Sequence, residues 1–196
     1  WMWMNNREGP TSDVRFRQAV MYAMDRNFVK DVVWNGFGTV ATGPVASATN
    51  FYTNEVTQYD YNPDKAKELL AEMGYDGETV RILPLPYGET WQRWAEAVRQ
   101  NLNEAGINAE IDSSDVAGWN EKTSQWDYDL AFTYLYQYGD PALGVSRNYT
   151  ADRIQKGSPW NNVEGYDNPE LDEKWFAAAT MISPEERQAA YNEIQQ

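Results

Sequence analysis

At 196 residues the chain can bury one or two hydrophobic cores. With neither cysteine nor histidine it has no disulfide, no thiolate nucleophile, no zinc-thiolate site and no Ser-His-Asp or Cys-His catalytic set. A net charge of −14 leaves no cluster of Lys and Arg to neutralise phosphates, which argues against nucleic acid and anionic membrane surfaces.

No run is apolar for long enough to span a bilayer. Trp1–Asn6 lacks the basic start, apolar core and cleavage site of a signal peptide, and is read as a strand entering the domain. Gly9-Pro10-Thr11-Ser12 is a turn, and Ser12 or Asp13 can cap a helix whose inner face carries Phe16, Val20, Ala23 and Met24. A shorter helix over Asn27–Trp34 ends at Asn35-Gly36, and Gly36–Asn50 is an ordered loop. Asn62-Pro63-Asp64 opens a helix with Ala66, Leu69, Leu70 and Met73 inward, closed by Gly74.

Strands then alternate with helices: strand Thr79–Leu85, helix Gly88–Ala105, strand Ile107–Ile111, helix Asp115–Ser124, strand Trp126–Tyr138. This is the pattern of βαβ units and a largely parallel sheet flanked by helices, an α/β fold. The last strand reads as central, because Leu130, Ala131, Phe132, Tyr134 and Leu135 are too apolar for a half-exposed ribbon. Gly139-Asp140-Pro141 ends it. Ala142–Asn168 is loop-rich, and Pro169–Thr180 and Pro184–Gln196 are helices, the second opened by a capping box of Ser183 and Glu186. A chain that opens on Trp1 and closes within a helical pattern is expected to be a fragment of a larger protein.

In open α/β sheets ligands bind beyond the carboxyl ends of parallel strands. Tyr136, Gln137, Tyr138 and Asp140 are expected at that rim, on the same edge as Tyr87 and the Gly36–Ala48 loop. Tyr87, Trp91, Tyr134, Tyr136 and Tyr138 supply rigid contact area with a polar handle, which suits a small-molecule pocket; ordinary covering of the sheet end is the competing reading. Trp119, Trp126 and Trp175 read as core. A glycosidase pair among Asp127, Asp129 and Asp140 is disfavoured, since the intervening strand holds the acids roughly 30 Å apart at about 3.3 Å per residue. No glycine-rich nucleotide fingerprint is present, and neither a metal site nor a cofactor is expected.

The order of several segments resembles the family 5 extracellular solute-binding proteins, the dipeptide- and oligopeptide-type receptors of ABC importers. The matching pieces are Asp13–Val20 with Ala23-Met24-Asp25-Arg26, then Gly36-Phe37-Gly38 and Ala41-Thr42-Gly43-Pro44. Tyr61–Leu70, the Gly139-Asp140-Pro141 turn, Gly165–Asp172 and Glu186–Gln195 follow in the same order. The resemblance implies the second lobe of a two-lobed, periplasmic-binding-protein type II-like fold. Residues 1–6 would be a hinge strand, 7–75 a helical part and loop, 76–141 a βαβαβ core, and 142–196 a loop and C-terminal helices, in one lobe over 1–196.

It further implies a monomer that performs no chemistry, holds a small polar solute such as a peptide or oligosaccharide between lobes, and delivers it to ABC permease subunits. Such a receptor is periplasmic or extracellular, secreted or lipid-anchored. In peptide-binding members an aspartate three residues before the acid of the Asp-Pro turn pairs with the ligand's amino terminus; that position here is Gln137. A neutral amide cannot give an ammonium its charge-assisted bond, which shifts weight toward an uncharged polyol, sugar or other polar solute. The alternatives from other classes are a carboxylate-based hydrolase and a regulatory or scaffolding α/β module.

Overall fold

Four short apolar runs pair into one sheet: β1 (Met2–Met4), β2 (Val80–Leu83), β3 (Ala109–Ile111) and β4 (Leu130–Phe132), in the order β1-β4-β2-β3. These are features of a computed structural model that describes residues 1–196. β2 runs parallel to both β3 and β4, while β1 is antiparallel to β4, with Met2 opposite Phe132 and Met4 opposite Leu130. The largely parallel α/β sheet is as expected, with the N-terminal strand on one edge. Leu130, Ala131 and Phe132 are all buried, as a central strand covered on both faces requires.

β4 is much shorter than the expected strand over Trp126–Tyr138. The reason lies in its partners. β2 stops at Leu83 because Pro84 and Pro86 have no N–H to donate. On the other side, Thr133 N donates to Trp1 O, the last bond of the pairing with β1. Beyond Thr133 the chain stays open but belongs to no ladder.

The chain forms two units, the first Trp1–Val40 with Tyr59–Thr133 and the second Ala41–Gln58 with Tyr134–Gln196. In the first unit the helices surround the sheet. α1 (Val14–Ala23) starts where Asp13 accepts from Arg15 N at 2.8 Å and buries Phe16, Ala19, Val20 and Ala23. Asp25 caps α2 (Arg26–Phe28), which passes into a π-helical turn, Val29–Val33. α3 (Pro63–Met73) has the expected Asn62 cap, Pro63 in its first turn and Gly74 at φ 75 as its left-handed stop. α4 (Glu89–Glu104) buries Ala95, Ala97, Val98 and Leu102, and α5 (Val116–Gln125) is capped by Asp115. Full burial of a side chain such as Leu102 contributes about 2 kcal/mol. Trp119 stacks on Trp3 at 5.9 Å in the core; Trp126, only half-buried, carries the Arg7 guanidinium 3.7 Å above its ring.

The second unit has no sheet. It holds α6 (Pro141–Gly144), two 3-10 turns at Ser146–Asn148 and Ala151–Arg153, and the helix pair α7 (Pro169–Thr180) and α8 (Pro184–Ile194). Its core is Val145, Trp175, Ala178, Tyr191 and Ile194, with Phe51, Tyr149, Leu171 and Ala190 packed against it. Asn168 caps α7 and Ser183 caps α8. The carboxylate that answers Ser183 is that of Glu185, at 2.9 Å, rather than that of Glu186.

Candidate functional site

Where the chain leaves β4 and enters the second unit, the residues alternate in exposure. Tyr134, Tyr136 and Tyr138 are 38%, 63% and 65% exposed, while Leu135 and Gln137 between them are half-buried. The alternate residues share the exposed face, and their three rings form a row. Their centroids are 5.5 Å and 6.1 Å apart, and Trp160 extends the row from Tyr134 at 6.1 Å. Side chains of this size left facing solvent together form an apolar strip with hydroxyl edges.

Gln137 points the other way, and its amide is engaged. Its Oε1 accepts from Ala46 N at 2.8 Å and from Thr49 Oγ1 at 2.9 Å, and its Nε2 donates to Pro44 O at 2.9 Å. The half-buried side chain therefore staples the Pro44–Thr49 stretch to the back of the tyrosine row.

The row ends in a tight turn. Tyr138 at φ 51 and Gly139 at φ 78 are both left-handed, and Asp140 N donates to Gln137 O at 3.2 Å to close it. Glycine adopts this conformation without cost, but a tyrosine is strained in it. Asp140 caps α6, accepting from Ala142 N at 2.9 Å, and so is tied to the turn amides as expected of an acid before proline. It also pairs with Arg187 of α8, at 3.0 Å through Oδ1 and 2.9 Å through Oδ2. Gly144 passes so close beneath the row that a Cβ there would lie 2.2 Å from Tyr136 O and 2.6 Å from Gln137 Cα.

In the first unit, Tyr87 lies on the segment between β2 and α4 and is 45% exposed. Trp91, in the first turn of α4, meets Trp34 edge-on at 5.5 Å and Trp94 at 5.3 Å. Trp94 packs in turn on Phe132, with centroids 4.5 Å apart. Of the two neighbouring tryptophans it is thus Trp94 that meets the sheet. The acids before β4 are occupied elsewhere: Arg81 binds Asp127 at 2.6 Å and Asp129 at 3.2 Å. No three carboxylates converge to hold a metal ion.

Arg187, Gly144, Trp160 and the role of Thr49 leave no local signal in the sequence. Arg187 and Asp140 are 47 residues apart, and no local pattern links them. The alternation Tyr-Leu-Tyr-Gln-Tyr was the available signal for a half-exposed segment.

The profile of the family described as bacterial extracellular solute-binding proteins, family 5 Middle, matches residues 1–156. Heme-binding protein A of Haemophilus influenzae is 26% identical over 197 residues, covering 97% of this chain and 35% of its own length. The dipeptide-binding protein of Escherichia coli K12 is 30% identical over 163 residues, covering 80% of this chain and 30% of its own length. The solved structure of HbpA2 from Haemophilus parasuis superposes with a TM-score of 0.91 at 25% identity, over 99% of this chain and 39% of that one. The chain thus spans about a third of the length of the relatives it matches. With 156 of its 196 residues matched in order, the chain belongs to family 5 of the bacterial extracellular solute-binding proteins.

Proposed function

We propose that this chain supplies one lobe of a two-lobed receptor that captures a small polar solute outside the cytoplasm and hands it unchanged to the permease of an ABC importer. The observation that carries the reading is the exposed row Tyr134, Tyr136 and Tyr138, held from behind by Gln137 and Asp140. In this reading the three tyrosines touch the solute, and Gln137 and Asp140 hold the row in place.

The hydrogen bonding also bears on solute class. A free ammonium taken out of water needs a formal negative partner. Gln137 Oε1 already accepts two hydrogen bonds, and both Asp140 oxygens face Arg187. Aromatic faces with hydroxyl edges suit instead a sugar, a polyol or a flat solute without a free α-ammonium.

Saturation-transfer NMR on the chain tests this with four probes: hemin, glutathione, alanyl-alanine and maltotriose. Maltotriose or hemin is expected to contact the tyrosine ring protons in preference to glutathione and alanyl-alanine, which carry a free α-ammonium. The contacting probe should bind more weakly than about 1 μM because one lobe gives half a closed site, and should be recovered intact. Tyr136→Ala should abolish that contact. Binding tighter than about 1 μM would show a complete site in this lobe, and a hydrolysed probe would show an enzyme. Absence of any contact at the tyrosines would remove the site.

A further inference from the structure

Arg187 reaches the site from α8 without facing it. Its Nη2 contacts both oxygens of Asp140, at 3.0 Å and 2.9 Å, and its Nε donates to Ala178 O in the last turn of α7 at 3.2 Å. The guanidinium lies 4.6 Å over the Phe51 ring and 5.5 Å from that of Tyr191, so its planar face is packed while its edge is bonded. The two side chains of the pair are only 18% and 22% exposed, so solvent screens it less than an ordinary surface ion pair.

What the pair restrains is the end of the aromatic row. Asp140 directly follows the two left-handed residues, and a tyrosine at φ 51 persists only where its surroundings over-determine it. Four contacts do so here. Asp140 N closes the turn on Gln137 O, Ala142 N donates to the Asp140 carboxylate, and Asn50 N donates to Gly139 O at 3.2 Å. Arg187 is the fourth, and it anchors the carboxylate to the helix pair.

We propose that Arg187 is a positioning residue: by fixing Asp140 it holds Tyr138 in its strained conformation and presents the tyrosine row preorganised, with no contact of its own to solute. The proposal rests on the reading of that row as solute-facing only for its consequence, not for its mechanism. A rigid row loses less freedom on binding than one that must first be ordered.

The test uses the full chain and four variants. Arg187→Met keeps the length and removes the charge. Arg187→Lys returns a charge without the planar fork. Asp140→Asn keeps an acceptor for Ala142 N, so the fold is retained even if Arg187→Met fails to fold. Ala189→Gly, at an exposed position inside the same helix, lowers stability without touching the pair.

Amide hydrogen exchange at Asn50, Asp140 and Ala142 and the near-ultraviolet circular dichroism of the coupled tyrosines are the readouts. Arg187→Met and Asp140→Asn are each expected to speed exchange at those amides about tenfold relative to the global unfolding rate and to weaken the tyrosine band. Combining them should add little, Arg187→Lys, which restores the charge alone, should recover only part of the change, and Ala189→Gly should show neither effect. Wild-type behaviour of both charge-removing variants would overturn the proposal, as would the same changes in Ala189→Gly at equal loss of Tm. These readouts need no solute. If none of hemin, glutathione, alanyl-alanine and maltotriose contacts the wild-type tyrosines while the variants behave as expected, the solute-facing reading falls and the positioning role stands.

Discussion

Gln137 sits between two exposed tyrosines with its amide bonded to a distant stretch of the chain. The alternating exposure was legible, since Tyr-x-Tyr-x-Tyr before a Gly-Asp-Pro turn marks a half-exposed segment. The engagement of its amide was not, because Pro44, Ala46 and Thr49 lie about ninety residues away in the chain. Gln137→Glu tests the staple. Glutamate keeps the acceptor for Ala46 N and Thr49 Oγ1 but sets a carboxylate oxygen against Pro44 O, at a cost of about 2 kcal/mol at neutral pH. A protonated carboxyl can donate to that carbonyl, so its folded pKa is raised; the deficit should vanish below about pH 4.3, the unfolded value, and grow as pH rises above it. Urea unfolding of both proteins at pH 4 and 7 measures this, and a deficit independent of pH would mean Gln137 is not held as described. Gly144 gives a sharper case. A Cβ there meets backbone atoms that cannot swing aside, so Gly144→Ala should cost about 3 kcal/mol, whereas a loss under about 0.5 kcal/mol would show that the chain beneath the row is free to move.

Among the elements, helices were legible and strand ends were not, for a physical reason. A helix carries its own start and stop signals: Asn62-Pro63 and Gly74 bracket α3, and Asn168-Pro169 opens α7. Each of those bonds is made within a few residues, so the local sequence suffices. A strand needs a neighbour. The apolar run from Leu130 to Leu135 is long enough to continue, but Pro84 and Pro86 interrupt the donors after Leu83, and β4 ends at Phe132. That early release is what frees Tyr134, Tyr136 and Tyr138 from the sheet and exposes them. α6 is hardly legible either. Its four residues hold too few positions for a helical period, and only the Asp140 cap and Pro141 announce it.

At the scale of the molecule, the segment Ala41–Gln58 joins the C-terminal third, which no composition shift announces. Phe51 is the tie. It takes φ 64, stacks on Tyr191 at 5.2 Å, and its carbonyl accepts from Gln195 Nε2 at 2.9 Å. The core so formed contains two tyrosines whose ionisation is suppressed. Tyr149 is pushed well above its ordinary 10.0, first by burial and then by the charges of Glu164 and Tyr166. Tyr191 is also raised by burial, although the hydrogen bond from Arg187 opposes the shift. A raised folded-state value means that, between pH 10 and that value, the unfolded chain releases protons the folded one keeps. Stability from these groups is therefore complete below about pH 10 and is lost as pH rises further, with a limiting slope of about 1.4 kcal/mol per pH unit for each tyrosine. Urea unfolding of the second unit should hold level up to that point and then fall. Tyr149→Phe should make the alkaline limb shallower by up to one tyrosine's share, and the double variant with Tyr191→Phe shallower again. An alkaline limb equally steep in all three proteins would mean that these two rings give up their protons as readily in the folded core as in the unfolded chain.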